Sequence, residues 1–112
     1  REGRPVFQNN IPSTGKCKVP MPHRYLELTT QLVLKAQIAD EKMKIVEQVI
    51  RNNCFDTHQL RELLGFIEFE IEKLKMAKLA YAHLTNPQHA DHLLSVFRFS
   101  ASRSDLSRFL AS

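Results

Sequence analysis

The chain has 112 residues, 43% of them hydrophobic, which suits one domain with a modest core. No run approaches the roughly 20 apolar residues of a membrane span, and no basic start leads into an apolar stretch, so neither a transmembrane helix nor a secretory signal is read. The net charge of +4 is uneven: the first 24 residues hold five basic side chains against Glu2 alone, and the remaining 88 hold 11 of each sign. The basic pI near 9.3 therefore belongs to the leader, which argues for nucleic acid less strongly than a basic helix face would. A first residue that is Arg1 rather than Met reads as a fragment or a processed product.

Residues 1–20 read as a basic extended arm or linker, with Gly3, Pro5, Pro12, Gly15 and Pro20 and little apolar periodicity. Val6, Phe7, Ile11 and Val19 are its large apolar side chains, and Phe7 and Ile11 are expected to anchor it on the helices or on a partner. Residues 21–112 read as a single helical domain. A first helix begins near Pro22 and places Tyr25, Leu28, Leu32 and Ala36 on one stripe, widened by Val33. A second opens at Asp40-Glu41, acids suited to a positive helix start, and carries Met43, Val46, Val49 and Ile50 as far as Asn52-Asn53. Asp56 or Thr57 caps a third through Leu60, Leu63, Leu64 and Ile67. A fourth starts near Glu70 with Leu74, Ala77, Tyr81 and Leu84, and Asn86-Pro87 starts a fifth, since proline is tolerated in a first helical turn. Ser102 or Ser104 caps a last helix with Leu106, Phe109 and Leu110.

One pattern occurs twice. Leu60, Leu63, Leu64, Ile67 and Phe69 return 30 positions later as Ala90, Leu93, Leu94, Phe97 and Phe99. Met43, Val46 and Ile50 match Leu74, Ala77 and Tyr81 at an offset of 31, and Asp105, Leu106 and Phe109 read as a truncated third unit. The expected fold is all-α, a compact array of about six short helices built from two helical-hairpin repeats of about 30 residues and a capping helix. The matched positions, among them Leu63, Leu64, Leu74, Ala77, Tyr81, Leu93, Leu94 and Phe97, are the expected core. Phe66, Phe69 and Phe99 are read as core too, because aromatics dominate small cores. Gly65, inside the third helix, is expected to let a neighbouring helix approach closely.

Pro20-Met21-Pro22, Asn53-Cys54-Phe55, Gln59, Phe69-Glu70, Lys73-Leu74, Ala77-Lys78, Ala80-Tyr81, Phe97-x-Phe99 and Asp105-Leu106 form an ordered series. On these residues the stretch from Pro20 to Leu110 resembles the domain of unknown function 4476 family. It differs at Gln88-His89-Ala90, where acidic or aromatic residues are usual. The resemblance implies a compact helical domain, often attached to other segments, with no established reaction, ligand or cofactor. Bacterial members often sit in exported proteins. Without a visible signal peptide that address is not carried over, and an intracellular one is favoured.

No catalytic set can be named, so no enzyme activity and no cofactor are expected. His89 and His92 share a helix edge with His83 near in sequence, but no carboxylate or thiolate is placed to complete a metal site, and an exposed polar face is the expectation. Glu68, Glu70 and Glu72 alternate around a helix boundary, with Lys73 and Lys75 spaced for surface ion pairs. Three glycines make no phosphate loop, and the serines near Arg98 and Arg103 have no nucleophile motif. Two cysteines are too few for a disulfide scaffold or a zinc site. A buried Cys54 and a free Cys17 are preferred to a bridge, which needs an oxidising compartment and close Cα atoms.

The function expected is a non-enzymatic protein-interaction or scaffolding domain that binds a peptide, helix or partner domain. Its contact surface is placed at Arg98, Arg103 and Arg108 near the capping end, with Phe7 and Ile11 of the arm. The alternative is a basic arm that binds nucleic acid, another anionic polymer or a membrane surface, an attraction that salt would screen.

Overall fold

A computed structural model describes residues 17–112. The anchors expected at Phe7 and Ile11, and the arm as far as residue 16, lie outside the described residues. Among those described, every regular element is helical: α1 (His23–Lys35), α2 (Ala39–Asn52), α3 (Thr57–Gly65), α4 (Glu70–Ala80) and α5 (Ser100–Ala111). A short 3-10 turn, Tyr81–His83, ends α4, and a longer 3-10 helix, Pro87–Val96, precedes α5. The fold is all-α.

The ends of these elements follow local chemistry. Asp40 and Glu41 occupy the first turn of α2 and Arg51 its last, each complementing the helix dipole. At α3 the Asp56 carboxylate accepts the Gln59 N–H at 2.8 Å, and the Gln59 side chain accepts the Asp56 N–H at 3.1 Å. This reciprocal capping box satisfies two orphan donors of the helix start. The Asn86 side-chain oxygen adds a third tie, accepting from the Thr57 N–H at 2.9 Å. Phe55 and Leu84 pair in an isolated parallel bridge, so the loops that open α3 and the 3-10 helix lie side by side.

The core is centred on Val46, Val49 and Ile50 of α2, Leu60, Leu63 and Leu64 of α3, Phe55, Leu93 and Leu106, all essentially inaccessible. Of the expected core, Ala77 and Phe97 are also buried, whereas Leu74, Tyr81 and Leu94 are only half-buried. Tyr81 packs edge-on against Phe109, with ring centroids 5.7 Å apart, and Lys78 pairs with Asp105 at 3.0 Å, so α5 is fastened along α4.

Several expectations are corrected. The buried face of α1 is Leu26, Thr29 and Val33, while Leu28 is 42% exposed. Thr29 can be buried because its hydroxyl donates to the Tyr25 carbonyl of the preceding turn at 2.8 Å. The Asn86-Pro87 start leads into a 3-10 helix rather than an α-helix. Its period of three aligns Ala90 and Leu93 inward and turns Leu94 partly out, unlike Leu64 at the matching place in α3. Gly65 admits no close neighbour, since a Cβ there would meet nothing within 4 Å. Phe69 and Phe99 are not core: they are 62% and 60% exposed. The helix expected from Ser102 or Ser104 starts at Ser100, with Phe99 at its cap position.

Cys17 is not free. It is joined to Cys54 across 37 positions, with Cα atoms 5.5 Å apart. The segment between Cys17 and α1 is strapped to the α2–α3 loop, which holds Cys54. The Met21 N–H donates to the Cys54 carbonyl and the Gln59 amide donates to the Met21 carbonyl, both at 2.9 Å. Met21 is buried beneath that strap.

Candidate functional site

The corner between the 3-10 helix and α5 is held by charged side chains from two helices. Glu70, the first residue of α4, accepts the N–H of Arg98 at 2.9 Å and of Phe99 at 3.1 Å. An anion placed at a helix start meets the positive end of α5, which has no cap of its own. Lys73, 8% exposed, donates to the Val96 carbonyl at 3.0 Å. Arg103 donates to the carbonyls of Phe97 at 2.8 Å and Arg98 at 3.1 Å. The cations thus meet the exposed carbonyls at the end of the 3-10 helix, where the helix dipole is negative.

Electrostatics follow that geometry. Partial burial alone would raise the pKa of Glu70. The Phe99 N–H, the Ser102 hydroxyl, the Arg98 N–H and the charge of Lys73 outweigh it, and the carboxyl lies below its ordinary value. The surface pairs expected between Glu70 and Lys73 are replaced by these longer reaches to the corner.

Held this way, the corner presents apolar side chains to solvent. Phe69 precedes Glu70 in the chain and the backbone N–H of Phe99 is bonded to its carboxylate, and both rings are exposed. Ile71, 71% exposed, follows on α4. Of the expected arginine lip, Arg98 and Arg108 are exposed, and Arg103 is half-buried with its guanidinium committed to the corner carbonyls. Arg98 adjoins the apolar corner directly.

The histidines divide. The His83 Nδ1 lies 2.8 Å from the Asn53 carbonyl, and since a carbonyl only accepts, this nitrogen carries the proton. That ring stacks on Phe55 and is removed from any set with the others. His89 and His92 lie three apart on a 3-10 helix, where such residues eclipse, and their rings stand 5.6 Å apart. Among the described residues no three His, Cys, Asp or Glu side chains gather as a metal site. None of the described helices is long and apolar enough to cross a membrane.

The ordered landmarks, from Pro20 through the Phe69 and Phe99 corners to Leu110, coincide with a family pattern. The model of the family described as Domain of unknown function (DUF4476) matches residues 20–110. The chain belongs to this family. No curated protein and no solved structure matches it. The DUF4476 span contains α1 to α4, α5 but for its last residue, the corner and the histidine pair, but Cys17 precedes it, so half of the disulfide lies outside the matched residues.

Two features of this DUF4476 domain depart from the sequence expectation. Lys73 is buried instead of pairing at the surface, and it stands with Met76, Ala77 and Ala80 at helical spacing, the stripe that α4 buries. Glu70 caps α5 in place of the expected surface pair, and no local signal marks a carboxylate that caps a helix nearly 30 residues later.

Proposed function

We propose that this DUF4476 domain is a non-enzymatic interaction or scaffolding module, and that its docking surface is the corner of Phe69, Ile71 and Phe99 beside Arg98. The observation that carries this reading is the exposure of two aromatic rings and an isoleucine at a backbone corner fixed by Glu70, Lys73 and Arg103. Large exposed apolar side chains on adjoining backbone mark a candidate contact surface. A corner already held in place loses little conformational entropy when a partner binds. The partner contributes an apolar peptide, a helix or the face of another domain, and Arg98 supplies polar contacts at the rim. The Cys17–Cys54 bridge supports an oxidising compartment in place of the intracellular address expected from the sequence.

Site-specific photo-crosslinking tests the reading in cells that make the protein. A photoreactive phenylalanine analogue is placed at Phe69, at Phe99 and, as a control, at the exposed Gln31 of α1. An adduct of the same mass from both corner positions and none from the control is expected. Equal adducts at all three positions, or none at the corner, would contradict it.

A further inference from the structure

We propose that the furrow between α3 and the 3-10 helix binds a tetrahedral oxyanion, a sulfate or phosphate group, free or carried on a larger molecule. The central part of the furrow encloses about 250 Å³ and is lined by Thr57, His58, Arg61, Asn86, His89 and His92. No carboxylate is among these residues. Arg61 spends one N–H on the Ser95 hydroxyl, at 3.2 Å, and its remaining donors have no partner among the described residues. The Asn86 side-chain oxygen accepts from both the Thr57 N–H and the Thr57 hydroxyl, at 2.9 and 3.0 Å. The Asn86 amide is thereby oriented, and its NH₂ group is left without a partner among the described residues. The lining therefore offers donors: a guanidinium, an amide and three imidazoles.

This donor set selects an anion. A permanent guanidinium among the imidazoles opposes a metal cation, and a planar fork with free N–H groups matches oxyanion geometry. The 3-10 winding contributes directly, because it sets His89 and His92 one above the other along the furrow. The charged groups around the centre are few. On α3, Glu62 lies 3.5 Å from His58. Asp91 of the 3-10 helix and Arg103 of α5 line the adjoining recess with Arg61. The site does not rest on the apolar corner, and either can fail alone.

The test is a titration of the intact chain with sodium sulfate, followed by NMR at constant ionic strength maintained with chloride. Sulfate is chosen because it is fully ionised at neutral pH. Saturable shifts at His58, Arg61, His89 and His92 are expected. Arg61→Gln should weaken binding by roughly tenfold, as the loss of a charged hydrogen-bond donor does. The melting temperature reports whether that variant is folded, and His89→Gln should weaken binding by a smaller factor. O-phosphoserine and inorganic phosphate at equal concentration separate the sources: tighter binding of the ester assigns the site to a phosphorylated molecule, and tighter binding of the ion to a free anion. Shifts that do not saturate, or that persist unchanged in a folded Arg61→Gln, would overturn the proposal. So would stoichiometric zinc that survives dialysis and is lost in His89→Ala.

Discussion

The Glu70 carboxylate accepts the Phe99 backbone N–H at 3.1 Å, so the residue that starts α4 also caps α5. Phe69, the chain neighbour of Glu70, and Phe99 both expose their rings. Glu70→Ala leaves the Arg98 and Phe99 amides without their carboxylate acceptor. It should lower the unfolding free energy by about 0.5–2 kcal/mol, the usual cost of a lost cap, in urea melts at neutral pH. An unchanged urea midpoint would contradict the capping role.

The same carboxyl should appear in the acid limb of stability. Its folded pKa lies below the ordinary 4.5, because the N–H and hydroxyl donors and Lys73 prevail over burial. A depressed folded value contributes stability that is complete above the unfolded pKa. That contribution is lost as pH falls through the folded value. Wild type should therefore lose stability more steeply than Glu70→Gln below about pH 4.5. Parallel acid limbs in the two proteins would contradict this.

Adjacent residues of α3 should respond in opposite directions. Leu64 is inaccessible, and Leu64→Ala should destabilise by about 2–5 kcal/mol through lost burial and a cavity. Gly65 faces open space at the helix end, and Gly65→Ala should stabilise by about 0.5–1 kcal/mol by narrowing the unfolded ensemble. Thermal melts of the two variants check both signs.

The disulfide closes a loop of 37 positions, for which loss of chain entropy in the unfolded state predicts about 4 kcal/mol of stabilisation. Dithiothreitol should lower the melting temperature of wild type to that of Cys17→Ser and leave the variant unmoved. Removal of residues 1–16 spares Cys17, so it should leave the reduction response intact. Equal melts with and without reductant would remove the bridge from the stability account.

What was legible in the sequence is what short-range chemistry decides. Asp56 and Gln59 are three apart, and their capping box follows from that spacing; the α2 start at Asp40-Glu41 is local too. Phe69 and Phe99 are legible as matched positions 30 residues apart, but their exposure depends on how α4 and α5 meet. The phase of α1 was missed because Thr29 hides its hydroxyl within its own helix, so a polar residue centres an apolar face. The winding of Pro87–Val96 was missed because a stripe at 90, 93 and 94 fits an α-helix as well as the observed one. Lys73 to Val96, Glu70 to Phe99 and Cys17 to Cys54 join residues 23 or more positions apart, and no local pattern encodes such pairings.

Native-state amide exchange at Arg98 and Phe99 tests most directly whether α4 fixes the corner that presents the aromatic rings. In the intact chain both amides should be protected, and Glu70→Ala should remove that protection while amides of α2 such as Val49 and Ile50 keep theirs. Unprotected exchange at Arg98 and Phe99 in wild type, or protection unchanged in Glu70→Ala, would contradict a corner held by Glu70.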